Sequence, residues 1–239
     1  SRPPPSQNHP LSRLHLPPPP AHLPRAAERS DQGLVRHWTK GHGLMGRAWP
    51  VLILLAFTQF CASWGSLTII GVQVEMRDGL NVSGDAIAGL IWSYSFSIAV
   101  GAILAQVLIG HWPRRAVLLC SMSLLGLGAC FLGLAQTWEQ AMIARVLMAV
   151  GGCSIMPTTT VIAASLVPES QRPAALSVVF TGLTASLVLA LPIASLVSSS
   201  AGWRAAWFVS GGSAFIAVIG LAWGVPPLTS SSAKARAQA

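Results

Sequence analysis

Arg145 is the one ionisable side chain lying well inside a long apolar run. An arginine at the centre of a bilayer costs on the order of 3 kcal/mol on insertion scales. Such a group either faces a cavity or partner, or snorkels to the surface and caps helix ends; the residues alone leave both open. Tyr94, Gln106, Thr158 and Thr159 are the neutral polar side chains expected on inner helix faces. Each would meet a substrate or bond to a neighbouring helix. Enzyme chemistry has no foothold at bilayer depth, where there is no acidic pair, metal-ligand cluster or phosphate-binding loop. The expectation is a non-enzyme with no cofactor and no metal. Cys61, Cys120, Cys130 and Cys153 lie inside apolar runs at no zinc-like spacing, and read as packing residues.

The elements that must position these groups follow from composition. Hydrophobic residues make up 52% of the 239 and charged residues only 9%, with a mean hydropathy of +0.59. A soluble domain carries about 25% charged residues. Between Trp49 and Val225 there are eleven charges, nearly all between apolar runs. Six runs are long enough for a helix to cross a bilayer, which takes about 20 residues. They are roughly Trp49–Val72, Ile87–Gly110, Ala116–Gln136, Gln140–Val167, Ala174–Ser198 and Ala205–Val225. The predicted fold is an all-α, integral-membrane six-helix bundle over residues 47–227. Residues 1–46, rich in Pro and Arg, are expected to be disordered, and residues 228–239 to be a disordered tail or the start of a central cytoplasmic loop. Met45 is the first methionine, so the stretch before it reads as upstream sequence or a leader. The net charge of +8 does not point to nucleic acid, because much of the excess sits in that tail and in short loops. Asn81-Val82-Ser83 matches the short glycosylation-acceptor pattern.

Gly110-His-Trp-Pro113-Arg114-Arg115 joins the second and third runs. So tight a loop makes these helices antiparallel neighbours, and its arginines belong on the cytoplasmic side. Placing the N-terminus inside puts Arg36, Lys40, Arg47, Arg114, Arg115, Arg172, Lys234 and Arg236 inside, against Arg77 and Arg204 outside. The expected location is a cell membrane, plasma or inner, crossed several times with the N-terminus cytoplasmic.

Two four-residue ladders of small residues mark the second and fifth runs: Gly89, Ser93, Ser97, Gly101, Ala105, and Gly182, Ser186, Ala190, Ala194, Ser198. Residues at that spacing share a helix face, and a small face lets another backbone approach closely in lipid. The two runs correspond if the chain is a pair of three-helix repeats. Both ladders are then expected to face out of the bundle, against a second half or a second copy. Pro157 and Pro192 should bend the fourth and fifth runs, the latter near Val188. A bend serves packing alone or borders a substrate path.

These features together resemble the N-terminal six-helix half of a major facilitator superfamily transporter. The loop Gln106-Val-Leu-Ile-Gly110-His-Trp-Pro113-Arg114-Arg115 is similar to that family's motif A; the arginine pair is kept, and Gly110 replaces the acidic residue. That departure resembles the arabinose-efflux-permease-like branch of the drug:proton antiporters. Arg145-Val-Leu-Met-Ala-Val-Gly151-Gly152 is similar to motif B, and Gly202-Trp203-Arg204 to the loop before the sixth span. The antiporter motif's glycines in the fifth span appear as Ala190 and Ala194.

The resemblance implies half of a twelve-helix fold, exporting small molecules such as sugars or drugs by alternating access. It implies a gating role for the loop and a part for Arg145 in proton coupling or anion binding. It also implies that spans one and four line the cavity. A proton carrier then lies in the second half or at a span end such as Asp85 or Glu139. The implied partners are a small-molecule substrate, protons, the lipid bilayer and a missing C-terminal half or second copy. The alternatives are a six-span scaffold that only binds partners, and an inactive fragment.

Overall fold

The computed structural model describes residues 25–108 and 112–225, with side chains from Ala48 onward except Gln106. Two compact units divide the chain, Ser1–His42 and Gly43–Ala239. The described elements are all helical: α1 (Arg25–Leu80), α2 (Gly84–Leu108), α3 (Arg114–Leu134), α4 (Trp138–Gly152), α5 (Ile155–Leu166), α6 (Arg172–Ala201) and α7 (Trp203–Gly224). Six segments are long and apolar enough to cross a membrane; the fourth, Trp138–Leu166, combines α4 and α5.

α1 is longer than expected at both ends. It is already helical from Arg25, ahead of the expected span start at Trp49. No proline intervenes between Pro24 and Pro50. The other end passes Val72 and runs to Leu80. Asn81 closes it in a left-handed conformation, φ 53°. The Val82 N–H donates to the Arg77 carbonyl at 3.1 Å, and the Asn81 N–H to that of Asp78 at 3.3 Å. This is a Schellman stop, with asparagine tolerating the left-handed position. Asn81 of the glycosylation-like triplet therefore has a backbone role of its own.

The fourth span breaks at Cys153–Ser154, next to the expected bend. Pro157 is the third residue of α5, where its missing N–H falls among the donors that a helix start leaves unpaired anyway. The Ser154 hydroxyl does not cap α5; it shares a 2.5 Å hydrogen bond with Ser121 of α3. α6, by contrast, runs unbroken through Pro192.

α3 packs most extensively on α7, then on α4. Small residues permit the α3–α4 approach: a Cβ at Gly151 would lie 2.7 Å from the Ser121 carbonyl oxygen, and one at Gly128 2.6 Å from Met148 Cγ. The α3–α7 pair is pinned at both ends by arginine. Arg115, the second residue of α3, donates to the carbonyl of Ala222 in the last turn of α7. Arg204, at the start of α7, donates to the carbonyl of Ala135 at the end of α3, at 3.0 Å. Both carbonyls belong to the set that a helix end leaves unpaired. Arg204 also lies 4.2 Å from the centroid of the Trp203 ring.

The ladders do not face outward. On α6, Gly182, Ser186, Ala190, Ala194 and Ser198 are all buried. A Cβ on Gly182 would overlap the Ala56 carbonyl of α1, and one on Gly71 of α1 would come within 2.8 Å of Ala194 Cβ. On α2 the ladder turns towards the fourth span, where a Cβ on Gly101 would sit 3.3 Å from Cys153. The opposite faces of these helices are bulky and exposed, as with Trp92 at 75% and Val188 at 70%. The reason is steric: only the small face allows backbones to close up within the bundle, so it is consumed there. Spans two and five are the least enclosed, with 17% and 28% of their apolar windows buried against 44–56% for the others. Cys61 and Cys153 are buried, Cys130 is half-buried, and Cys120 is exposed on an apolar span.

Gly182→Ala should destabilise the bundle by about 1–3 kcal/mol through overpacking, while Val188→Ala on the exposed face should change it by less than about 0.5 kcal/mol. Unfolding in mixed micelles with rising denaturing detergent measures both; equal stabilities would return the α6 ladder to an outward role. Arg115→Met and Arg204→Met should each cost about 1.5–3 kcal/mol, the worth of a hydrogen bond from a charged donor. The same titration, with limited proteolysis at the two ends of the α3–α7 pair, should show each variant loosening its own end first.

Candidate functional site

A cavity of about 580 Å³ opens between α1, α2, the α4–α5 break and α6. Neither α3 nor α7 lines it, so the arginine-pinned pair stands behind the cavity as its support. α1 supplies a polar stripe, Gln59, Ser63 and Ser66, whose spacing of four and three places it on one helix face. The other walls are mostly apolar, including Ile98 and Ile103 of α2, Met156 and Pro157 of α5, and Leu183 of α6.

The polar groups tie the walls together. Ser66 Oγ and the Tyr94 hydroxyl share a hydrogen bond of 2.5 Å between α1 and α2. Ser66 also donates to the Ala62 carbonyl at 3.2 Å, so its single hydrogen leaves Tyr94 as the donor between them. Thr159 of α5 donates towards Gln59 Oε1 at 3.3 Å and the Met156 carbonyl at 2.9 Å. Interhelical hydrogen bonds of this kind act as glue where water is absent.

Behind Tyr94 lies Arg145, with 1% of its surface exposed. Its guanidinium carbon sits 4.2 Å from the centroid of the Tyr94 ring and 5.7 Å from that of Trp207. Its Nε donates to the Leu90 carbonyl at 3.4 Å, and one terminal nitrogen has no protein partner. The snorkelling alternative does not describe this side chain: two aromatic rings and a carbonyl hold it inside. Cation–π contact of a desolvated arginine is worth about 2 kcal/mol. Glu139 and Asp85 are exposed at their helix starts, so neither neutralises Arg145.

The sequence candidates separate accordingly. Tyr94 and Pro157 line the cavity; Thr158 and Thr159 are buried and do not, although Thr159 holds Gln59 from behind. Gln106 lies on α2 with its side chain outside the described residues, and Gly110 lies outside them altogether. Pro113 is the N-cap residue of α3, and Arg114 and Arg115 open that helix, where Arg115 pins α7. Gly101, Gly182, Ala190 and Ala194 serve packing. The α1 stripe and Trp207 were missed. Gln59-Ser63-Ser66 was visible as a polar stripe at helical spacing in an otherwise apolar run; nothing in the sequence paired Trp207 with Arg145.

The family model of the Major Facilitator Superfamily matches residues 54–239. This chain belongs to that superfamily. It is 27% identical over 175 residues to the inner membrane transport protein YdhP of Escherichia coli (strain K12), covering 73% of this chain and 45% of the relative. It is 28% identical over 160 residues to the uncharacterized MFS-type transporter YtbD of Bacillus subtilis (strain 168), covering 67% and 40% respectively. The chain thus spans less than half the length of these relatives. Its fold is similar to that of the peptide transporter POT in complex with alafosfalin, with TM-score 0.64 and 13% identity over 80% of this chain and 43% of that one. The proton:xylose symporter XylE, bound to a bromodeoxyglucose, is also similar, with TM-score 0.60 and 16% identity over 75% and 45% of the two chains. The cavity walls in this superfamily member come from α1, α2, α4–α5 and α6, so spans one and four line it as the resemblance implied, joined by parts of two and five.

Tyr94→Leu should destabilise the protein by about 2 kcal/mol through loss of the ring over a buried cation. In an Arg145→Met background the same change should cost less, with a coupling of at least about 0.5 kcal/mol. Additive losses across this cycle, measured by detergent unfolding, would mean that the stack contributes nothing specific.

Proposed function

We propose that this protein forms one six-helix half of a secondary active transporter that exports small molecules in exchange for protons. The observation carrying this reading is the cavity, walled by four of the six spans and bordered by a broken helix. Interrupted helices beside a central cavity are how such transporters change shape around a bound substrate. The exposed α2 and α6 and the cavity's open side suit a second six-helix unit, from a longer chain or a second copy. Its arrival would enclose the substrate between two halves that rock about it.

Export and proton coupling are supported by the Pro113-Arg114-Arg115 loop, which resembles that of the drug:proton antiporters. Arg145 is the proposed coupling group. Its charge lacks a carboxylate partner among the described residues, and through Tyr94 it touches the cavity wall. The loop carrying Arg114 and Arg115 is the proposed inner gate, steadied by the Arg115 contact to α7. An N-terminus in the cytoplasm of a cell membrane follows from the bias of basic residues, eight to two.

Everted membrane vesicles carrying the intact protein test this. With an acidic interior imposed, adding a panel of neutral and charged aromatic compounds should dissipate the gradient for at least one compound, which then accumulates. Arg145→Met should insert normally and slow that flux by about tenfold, or about 1.4 kcal/mol in the barrier. Accumulation that ignores the pH gradient would exclude proton coupling, and no movement of any compound would count against transport itself.

A further inference from the structure

We infer that the cavity takes an uncharged, mainly apolar small molecule bearing one group that both donates and accepts a hydrogen bond, such as an alcohol, phenol or amide. This deepens the transport reading and rests on it. The lining contains no Asp, Glu, Lys, Arg or His among the described residues. Arg145, the nearest buried charge, is not part of it; Tyr94, which stacks on that guanidinium, is. A charged guest would lose its water and find no counter-ion, a penalty that such walls do not offset. An aliphatic or aromatic guest would instead bury against Ile98, Ile103, Met156 and Leu183.

The polar edge fixes the guest's one polar group. The Thr159 hydroxyl, which also bonds the Met156 carbonyl, takes up at most one lone pair of the Gln59 amide oxygen, and the amide nitrogen is a donor. The Tyr94 hydroxyl gives its hydrogen to Ser66 and keeps an oxygen that can accept. Ser63, one turn from Gln59 on the same wall, can do either. A group that only accepts, or only donates, would leave part of this edge unpaired, and sites built to hydrogen-bond a hydroxyl discriminate strongly against its absence.

A series with one ring system separates the possibilities: 2-naphthol, naphthalene, 2-naphthalenesulfonate and 2-naphthyltrimethylammonium. Equilibrium binding of each radiolabelled compound is measured on the intact protein in lipid nanodiscs, with empty nanodiscs subtracted. The expected result is saturable naphthol binding, about tenfold tighter than naphthalene or either ion. Gln59→Leu should bring naphthol down to the naphthalene level without changing naphthalene. Ala102→Phe, which fills the cavity from the α2 wall, should abolish saturable binding of both. Equal or tighter binding of an ion overturns the inference, as does naphthalene matching naphthol, saturable binding that survives Ala102→Phe, or no saturable binding. Because binding is read without a gradient, preference for an ion here together with pH-driven flux would sink the substrate class and leave transport standing.

Discussion

The bundle depends on the antiparallel α3–α7 pair, which has to satisfy its helix ends in a setting where water is scarce. A helix leaves its last carbonyls unpaired, and lipid offers them nothing. Here each helix lends an arginine from its own first turn to the other's last turn: Arg115 to Ala222, and Arg204 to Ala135. The charge also complements the negative end of the helix dipole it reaches. Two reciprocal contacts at opposite ends fix both the register and the tilt of the pair. α4 packs on this pair through α3, α2 on α4, and α6 on α7, so the cavity walls inherit their positions from it.

A second constraint is the buried guanidinium. Arg145 costs free energy to place inside, and the structure offsets it with π-faces and a carbonyl rather than with a carboxylate. That choice leaves the charge uncompensated, unlike a buried ion pair. It also makes Tyr94 serve two masters, since its ring covers the cation while its hydroxyl ties α2 to Ser66 on the cavity wall. Any rearrangement of α1 against α2 would therefore be felt at Arg145, which is a physical route by which cavity shape and charge environment influence one another.

Much of this fold was legible in the sequence, because the bilayer imposes length and apolarity span by span. The broken fourth span was signalled by Gly151-Gly152 and Pro157, whose effects are local. What could not be read was direction. A four-residue ladder says that a face is small, not which neighbour consumes it, and the α6 ladder turned out to close on Ala56 and Gly71 of α1 rather than on a partner. The same limit hid the site. Arg145 and Tyr94 stood out singly, but Trp207 lies 62 positions further along, and only the α4–α7 arrangement brings its ring near the guanidinium.

The two three-helix repeats share their scaffolding but not their chemistry. Arg115 and Arg204 stand near the start of the third helix of each repeat, and the small ladders lie on the second helix of each, so packing treats the halves alike. The first helices differ. α1 carries no Asp, Glu, Lys, Arg or His between Trp49 and Val74 and gives the cavity the Gln59-Ser63-Ser66 stripe, whereas the fourth span carries Arg145 and a break. A symmetric frame with one neutral polar wall and one interrupted wall places hydrogen bonding on one side of the cavity, while the buried charge stands behind Tyr94, outside the lining. Because the broken span also carries Arg145, movement at Cys153–Ser154 and a change around Arg145 lie within three helical turns of each other, on an element that the α3–α7 pair holds from behind.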